Sequence, residues 1–396
     1  MRWVRLVLAV MISAAAALAV VRLVAPADGQ SGVRRQLAFL RTELESGAAE
    51  DAQRLFPEGY FFSYALYGLT AVDLGRLDDA RWALARLESD AGRAPFTGEM
   101  PLRYGVFYRG WVNWLRGGIL SHEPAAARDA AQLRAFEQDS AEIAAAFDTS
   151  PTPFLVSYPG KAWPVDSTVA LASLRLRDKL LTPAYDVTAI RWLANVQARL
   201  DPTTQLMPHT ADAETGEPTS GAQGTSQSLI NRFLPEIDQD FARQQYARFR
   251  TWFLDAPLGL GPTIREHPTG IDGPANVDSG PLVLGVSLSA TAVTIGTAKV
   301  HGDETLADGL SRFGEVAGLP IYTPGAKRYA FGAAPIGDAF LAWSKSARPW
   351  VAAVPVEPPS RFLSRWWQLP LLTLFLAVGL APWLLGAAWR RTPRRR

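Results

Sequence analysis

The chain has 396 residues, 48% of them hydrophobic, and a formal net charge of +2. That is material for one large domain or two smaller ones with a full core, and the near-neutral balance argues against a general nucleic-acid binder. Cysteine is absent and the four histidines (His122, His209, His267, His301) are scattered, which excludes disulfides and a cysteine nucleophile and disfavours a histidine-rich metal centre.

The first element is apolar. "LVLAVMISAAAALAVV" runs from Leu6 to Val21 without a charge, after Arg2 and Arg5 and before Arg22. It reads as a signal peptide or a retained signal anchor covering residues 1–29. A full span requires Arg22 to snorkel to the interface, and "APA" at residues 25–27 offers a small-residue cleavage site.

Between residues 30 and 354, period-2 alternation is scarce, and Ala, Leu, Arg and Trp recur at helical spacing. The pattern predicts about twelve helices, at 35–48, 59–75, 78–91, 103–120, 124–147, 166–181, 184–200, 225–235, 239–254, 279–300, 303–316 and 335–346. Those starting near 78, 124, 184, 239 and 303 are amphipathic and follow very short turns such as "GRLD" and "HGDE". The others are more apolar, and each follows a longer Gly- or Pro-bearing loop. Buried inner helices covered by amphipathic outer ones satisfy both patterns, with the long loops gathered beside the inner N-termini.

The chain closes with "PVEPPSRF" inside a Pro-rich spacer at 355–367, then "LPLLTLFLAVGLAPWLLGAAW" from Leu369 to Trp389, then "RRTPRRR". The uncharged run predicts a transmembrane helix over 368–390, bracketed by Trp366, Trp367 and Trp389 as an aromatic belt would be. The arginines of the tail, 391–396, mark its cytoplasmic side. These features place the chain in a bacterial inner membrane with the helical domain outside the cytoplasm.

Alternating inner and outer helices resemble the (α/α)6 toroid of six-hairpin glycosidases and several polysaccharide lyases. The resemblance spans the helical domain and rests on architecture, with no family motif to match. It implies an all-α domain with its active site at the inner-helix N-termini. It also implies a glycan or another small molecule as substrate, with no cofactor and no metal.

Two loops carry the same tripeptide, Val165-Asp166-Ser167 and Val277-Asp278-Ser279, each ahead of an apolar run. Asp is a strong N-cap, so capping alone is one reading. The other puts both carboxylates inward. On the third and fifth inner helices of a ring, the axes would lie roughly 17 Å apart. The carboxylates could then approach to about 6–9 Å, the range for a pair working through a water in glycoside hydrolysis.

"IREHPTGIDGPANVDS" packs Arg265, Glu266, His267, Asp272, Asn276 and Asp278 together. Glu266 could act as acid or base and the others could bind substrate; the alternative is a solvated loop with turns at Gly270 and Gly273. Gln223 and Gln227 flank a Thr225-Ser226 pair that could cap a helix or hydrogen-bond sugar hydroxyls. Tyr60, Tyr104, Tyr108 and Trp163 could stack on sugar faces beside Lys161, or be core. Glu58 and Asp338 also stand at loop ends. No Gly-x-Ser-x-Gly elbow and no phosphate loop occur. The competing functions are a glycan hydrolase or lyase, a dehydratase-isomerase for a small alcohol or terpenoid, and a non-catalytic envelope scaffold or binding protein.

Overall fold

The computed structural model describes residues 2–25, 28–354 and 367–391. The cleavage motif at 25–27, the spacer at 355–367 and the basic tail fall largely outside the described residues. The chain is mostly helical, with three two-stranded antiparallel ribbons: β1 (Thr210–Ala211) with β2 (Pro218–Ser220), β3 (Leu254–Asp255) with β4 (Thr263–Ile264), and β5 (Ile321–Tyr322) with β6 (Lys327–Arg328).

The helices are α1 (Arg2–Val24), α2 (Gln30–Glu45), α3 (Ala48–Leu55), α4 (Gly59–Asp73), α5 (Leu77–Leu87), α6 (Asp90–Arg93), α7 (Gly105–Ser121) and α8 (Ala130–Thr149). There follow α9 (Pro164–Leu180), α10 (Asp186–Gln197), α11 (Gly224–Phe233), α12 (Gln239–Phe253), α13 (Leu288–Val300), α14 (Glu304–Ala317), α15 (Pro335–Ser346) and α16 (Gln368–Arg391).

Six of them are buried over most of their surface: α4, α7, α9, α11, α13 and α15. Their sequences explain it. "GYFFSYALYGLTAVD" has no polar face to turn outward, so all sides of α4 must be covered. Contacts run from α4 to α7, α7 to α9, α9 to α11, α11 to α13, α13 to α15 and α15 back to α4. The amphipathic helices lie against them: α5 on α4 and α7, α8 on α7 and α9, α12 on α11, α14 on α13, and α2 on α15 and α4.

The two helix classes start differently. Asp129, Asp238 and Asp303 cap α8, α12 and α14, accepting from the amides of Gln132, Phe241 and Leu306. Five buried helices, α4, α7, α9, α11 and α15, start with no side-chain cap. Their positive dipole ends are therefore not neutralised by their own caps. The tight turns into α5 and α14 recur in kind. Gly75 and Gly302 take left-handed backbone, and the next amide bonds back to Ala71 and Ala298, respectively. This is a six-to-one helix stop that favours glycine.

Helix α3 was not expected, lying between the stretches predicted at 35–48 and 59–75, and one predicted helix is much shorter than expected. The stretch predicted at 279–300 is helical only from Leu288, capped by the Ser287 hydroxyl. Asp278 therefore caps nothing. It lies in a turn held by Asn276, whose Oδ1 accepts from the Ser279 amide at 2.7 Å. Gly280, Leu284 and Gly285 take left-handed backbone there, which no helix accommodates. Asp166 is not the N-cap of α9 either. Trp163 holds that position, Pro164 fills the first turn, and Asp166 falls inside the helix. Nor do Thr225 or Ser226 cap α11, whose N-cap is Gln223.

Among the described residues, two helices are long and apolar enough to cross a membrane, one at the N-terminus and one near the C-terminus. Helix α1 runs unbroken through Arg22. The two pack side by side, close where residues are small: a Cβ on Gly379 would stand 3.1 Å from that of Ala16. The Ser13 hydroxyl donates to Gly379 O at 2.8 Å and accepts from Trp383 Nε1 at 2.8 Å.

At the opposite end of the buried helices from the loops, Trp350 stacks on Trp114 with ring centroids 4.7 Å apart. A Cβ on Gly118 would stand 2.3 Å from the Trp350 ring. We expect Gly118→Ala to destabilise the domain by about 1–3 kcal/mol through overpacking, read as a lower melting temperature. An unchanged melt would mean that the ring has room to move.

Candidate functional site

The long loops surround a cavity of about 990 Å³ at the N-terminal ends of the buried helices. Four carboxylates line it: Glu58, the N-cap residue of α4; Asp166, in the first turn of α9; Asp278, in the loop before α13; and Asp338, in the first turn of α15, which accepts from Gln36 and the Tyr329 amide. Phe62, Phe107, Trp111, Tyr158 and Trp163 give it an aromatic wall.

Each acid is placed by local structure. Glu58 is the N-cap residue of α4, but its side chain makes no capping bond; instead it accepts from the Tyr158 hydroxyl. Tyr158 opens the turn Tyr158-Pro159-Gly160-Lys161, in which Pro sits second and Gly160 takes positive φ. That turn holds Tyr158 edge-on to Trp163, centroids 5.5 Å apart. Asp166 is 3% exposed. Its carboxylate is hydrogen-bonded by Ser157, whose oxygen also accepts from the Trp163 amide at 3.2 Å.

These surroundings separate the acids electrostatically. Burial pushes Asp166 up to about 8; the Ser157 bond opposes this, and repulsion from Glu58 and Asp278 adds to it. Asp278 is pushed up to about 6, first by the protein crowded around it and then by Glu58. It stands at the mouth of the cleft with its surface open to water. Tyr158 is held far above the ordinary phenol range, by burial and by Glu58, and stays a proton donor.

Of the residues singled out in the sequence, Glu58, Lys161, Trp163, Asp166, Thr225, Ser226, Asp278 and Asp338 line this cavity. Glu266 does not line it. That residue is fully buried, and its oxygens accept from the Thr225 amide (3.2 Å), the Thr225 hydroxyl (2.8 Å) and Asn276 Nδ2 (3.3 Å). This anchors a carboxylate at the start of α11, where the helix dipole favours it.

Asn276 Nδ2 also donates to Gln223 Oε1 at 2.8 Å, and His267 Nε2 pairs with Pro274 O at 3.0 Å. Arg265 bonds Asp255 at 3.1 Å and Asp272 at 3.5 Å. The dense polar cluster thus folds on itself and fastens the loop that presents Asp278. Gln227 is buried and donates to Met207 O. Tyr60 and Tyr108 are core, the Tyr108 hydroxyl bonding Leu87 O at 3.1 Å, and Tyr104 stands against Tyr108 and the guanidiniums of Arg93 and Arg103.

Tyr158 was not visible as a site residue. The pairing of His209 with Ser226 was equally hidden. His209 Nδ1 lies 2.5 Å from the Ser226 hydroxyl on the cavity wall, and burial, with His267 nearby, holds His209 down at about 4. The ring is neutral at pH 7. Among the described residues, no group of three or more His, Asp or Glu is arranged to hold a metal ion. No protein-family model matches the chain, and no curated protein matches it significantly.

Proposed function

We propose that the chain is a membrane-tethered, extracytoplasmic enzyme acting on glycans, a hydrolase or a lyase, built on an (α/α)6 toroid. The cyclic succession of contacts among the six buried helices supports the toroid. The two apolar helices at the ends of the chain, packed on one another, support the tether.

The observation that carries the chemistry is the placement of two acids on one aromatic-walled cavity, Asp166 buried and Asp278 at its mouth. Asp166 keeps its proton at neutral pH, and Asp278 loses its own more readily. Two titrating groups pushed apart in this way define a general acid and a general base. In hydrolysis, Asp166 gives its proton to the leaving glycosidic oxygen. The Asp278 carboxylate takes a proton from the water that attacks the anomeric carbon. Glu58 fixes Tyr158 at the cavity wall, and Trp163 and Phe107 offer faces for sugar stacking.

The test is turnover of a panel of cell-envelope glycans by the full-length protein, followed against pH. Activity needs Asp278 ionised and Asp166 protonated, so the profile is a bell with limbs near 6 and 8 and its top near 7. A rate that keeps rising above pH 9 would rule out Asp166 as the acid.

The apolar stretch of the cavity wall, including Leu288, Val293 and Phe340, favours a second reading. A dehydratase-isomerase for a small apolar alcohol would use the same Asp166 proton to release water. Turnover of short-chain terpenoid alcohols without turnover of any glycan would select it.

A further inference from the structure

The cavity is larger than its acid end. Away from Glu58, Asp166 and Asp278 it continues along α14 and α15, walled by Leu310, Phe313, Gly314, Ala317, Phe340 and Leu341, with the Asp338 carboxylate of α15 tied to Gln36 and the Tyr329 amide. No charged side chain of α14 lines this arm.

The same helix α14 is where α1 ends. Arg312 Nη1 donates to Val24 O at 2.8 Å and Ala25 O at 2.5 Å, closing the C-terminus of α1. Arg22 Nη2 donates to Pro320 O at 2.6 Å just past α14. Gln368, at the start of α16, donates to Leu23 O at 3.3 Å, and Trp367 stands edge-on to Phe313, centroids 6.5 Å apart. The apolar arm and the emergence of both spans therefore lie on one helix, whose diameter is about 10 Å.

Around this corner, large apolar side chains stand in water. Leu258, Leu319 and Phe331 are 82%, 51% and 67% exposed. All three occupy left-handed backbone, which bulky side chains avoid unless the surroundings impose it. A membrane surface at this corner would cover them.

We propose that the cavity binds an amphiphile drawn from the membrane that holds α1 and α16, its polar head at Asp166 and Asp278 and its hydrocarbon tail in the arm along α14. This rests on the tethered, glycan-active reading above and narrows its substrate to a lipid-linked glycan. The tail enters past Phe313, and the head meets the acids without leaving the membrane surface. Gly314 and Ala317 keep the floor of the arm low enough for a chain to lie on it.

The experiment uses the full-length protein in lipid nanodiscs and dodecyl glucoside carrying a diazirine at the end of its tail. After irradiation, adducts are mapped by mass spectrometry. We expect adducts on α14 and α15, competed by plain dodecyl glucoside and not by methyl glucoside. Gly314 has no atom within 4 Å of where a Cβ would stand, so the branch point of Gly314→Leu is free, its side chain extends into the arm, and leucine is the better helix former. It should cut the α14 and α15 adducts roughly tenfold, the loss expected when two methylenes give up their burial. Gly314→Ala should leave them intact.

Partition of the probe into the nanodisc is the same for all three proteins, so a difference among them reports the arm. Adducts confined to α1 and α16, no adducts at all, or adducts unmoved by Gly314→Leu would overturn the proposal. Adducts on α14 and α15 without turnover of any glycan would keep the tail site and remove the glycan head.

Discussion

Asp166→Asn should reduce turnover by about 10²–10⁴-fold, the contribution of a positioned general acid. The amide keeps the volume and can still meet Ser157, but it has no proton to give at any pH. The alkaline limb near pH 8 should vanish from the residual rate, because the titrating group that makes it is gone.

The same substitution should stabilise the fold, and the sign follows from linkage. Asp166 titrates near 8 when folded and near 3.9 when unfolded. Between those values the folded state holds the extra proton, so stability falls as pH rises through the window. Asn carries no such cost. At pH 8 the variant should therefore melt higher than the parent, by an amount on the order of a few kcal/mol, and near pH 4 the two should converge. Loss of activity with lost stability at pH 8 would mean a structural role for Asp166. Activity retained within about threefold would dismiss it as the acid.

Much of the scaffold was legible because its signal is local. Periodicity placed helices at 59–75, 239–254 and 335–346, against Gly59–Asp73, Gln239–Phe253 and Pro335–Ser346. The apolar run before α13 misled because its hydrophobicity has another cause. Val283 and Leu284 are exposed on a loop with three left-handed residues nearby, so these side chains were not selected to bury a helix face. The repeated Val-Asp-Ser left two readings open, helix caps or inward acids; neither Asp166 nor Asp278 is an N-cap, and both line one cavity.

Partners set across the chain could not be read. Glu58 and Tyr158 meet over 100 residues of sequence, and His209 and Ser226 meet through the strand ribbon that precedes α11. Glu266 looked like chemistry because an acid in a polar loop looks the same whether it faces a cavity or a helix end. Only its three donors, from Thr225 and Asn276, distinguish the two.

The largest expected loss of stability is at Glu315, on the face of α14 turned toward the β5–β6 ribbon and α15. Its Oε1 accepts from Lys327 Nζ at 2.8 Å, Lys345 Nζ at 2.6 Å and the Tyr329 hydroxyl at 2.5 Å; its Oε2 accepts from the Tyr322 hydroxyl at 2.8 Å. Lys327, Lys345 and Glu315 are all buried. Burial alone would raise Glu315, but the two ammonium groups hold it at about 2. Burial likewise pushes Lys345 down to about 8, with Glu315 pulling against it.

Glu315→Ala leaves Lys345 without a carboxylate partner and facing Lys327 across the gap. Removing one partner of a buried ion pair costs about 3–5 kcal/mol, and for a domain of this size that is a melting point lower by roughly 10 °C. Should that variant fail to fold, a double replacement by Glu315→Leu and Lys345→Met should recover much of the loss, because it removes the stranded charge together with its partner. The pH dependence follows from the depressed carboxylate. The stabilisation is complete above about 4.5, the ordinary value, and is lost as pH falls toward 2. A melt of Glu315→Ala within 1 °C of the parent at pH 7 would show that water, not the carboxylate, satisfies the two lysines.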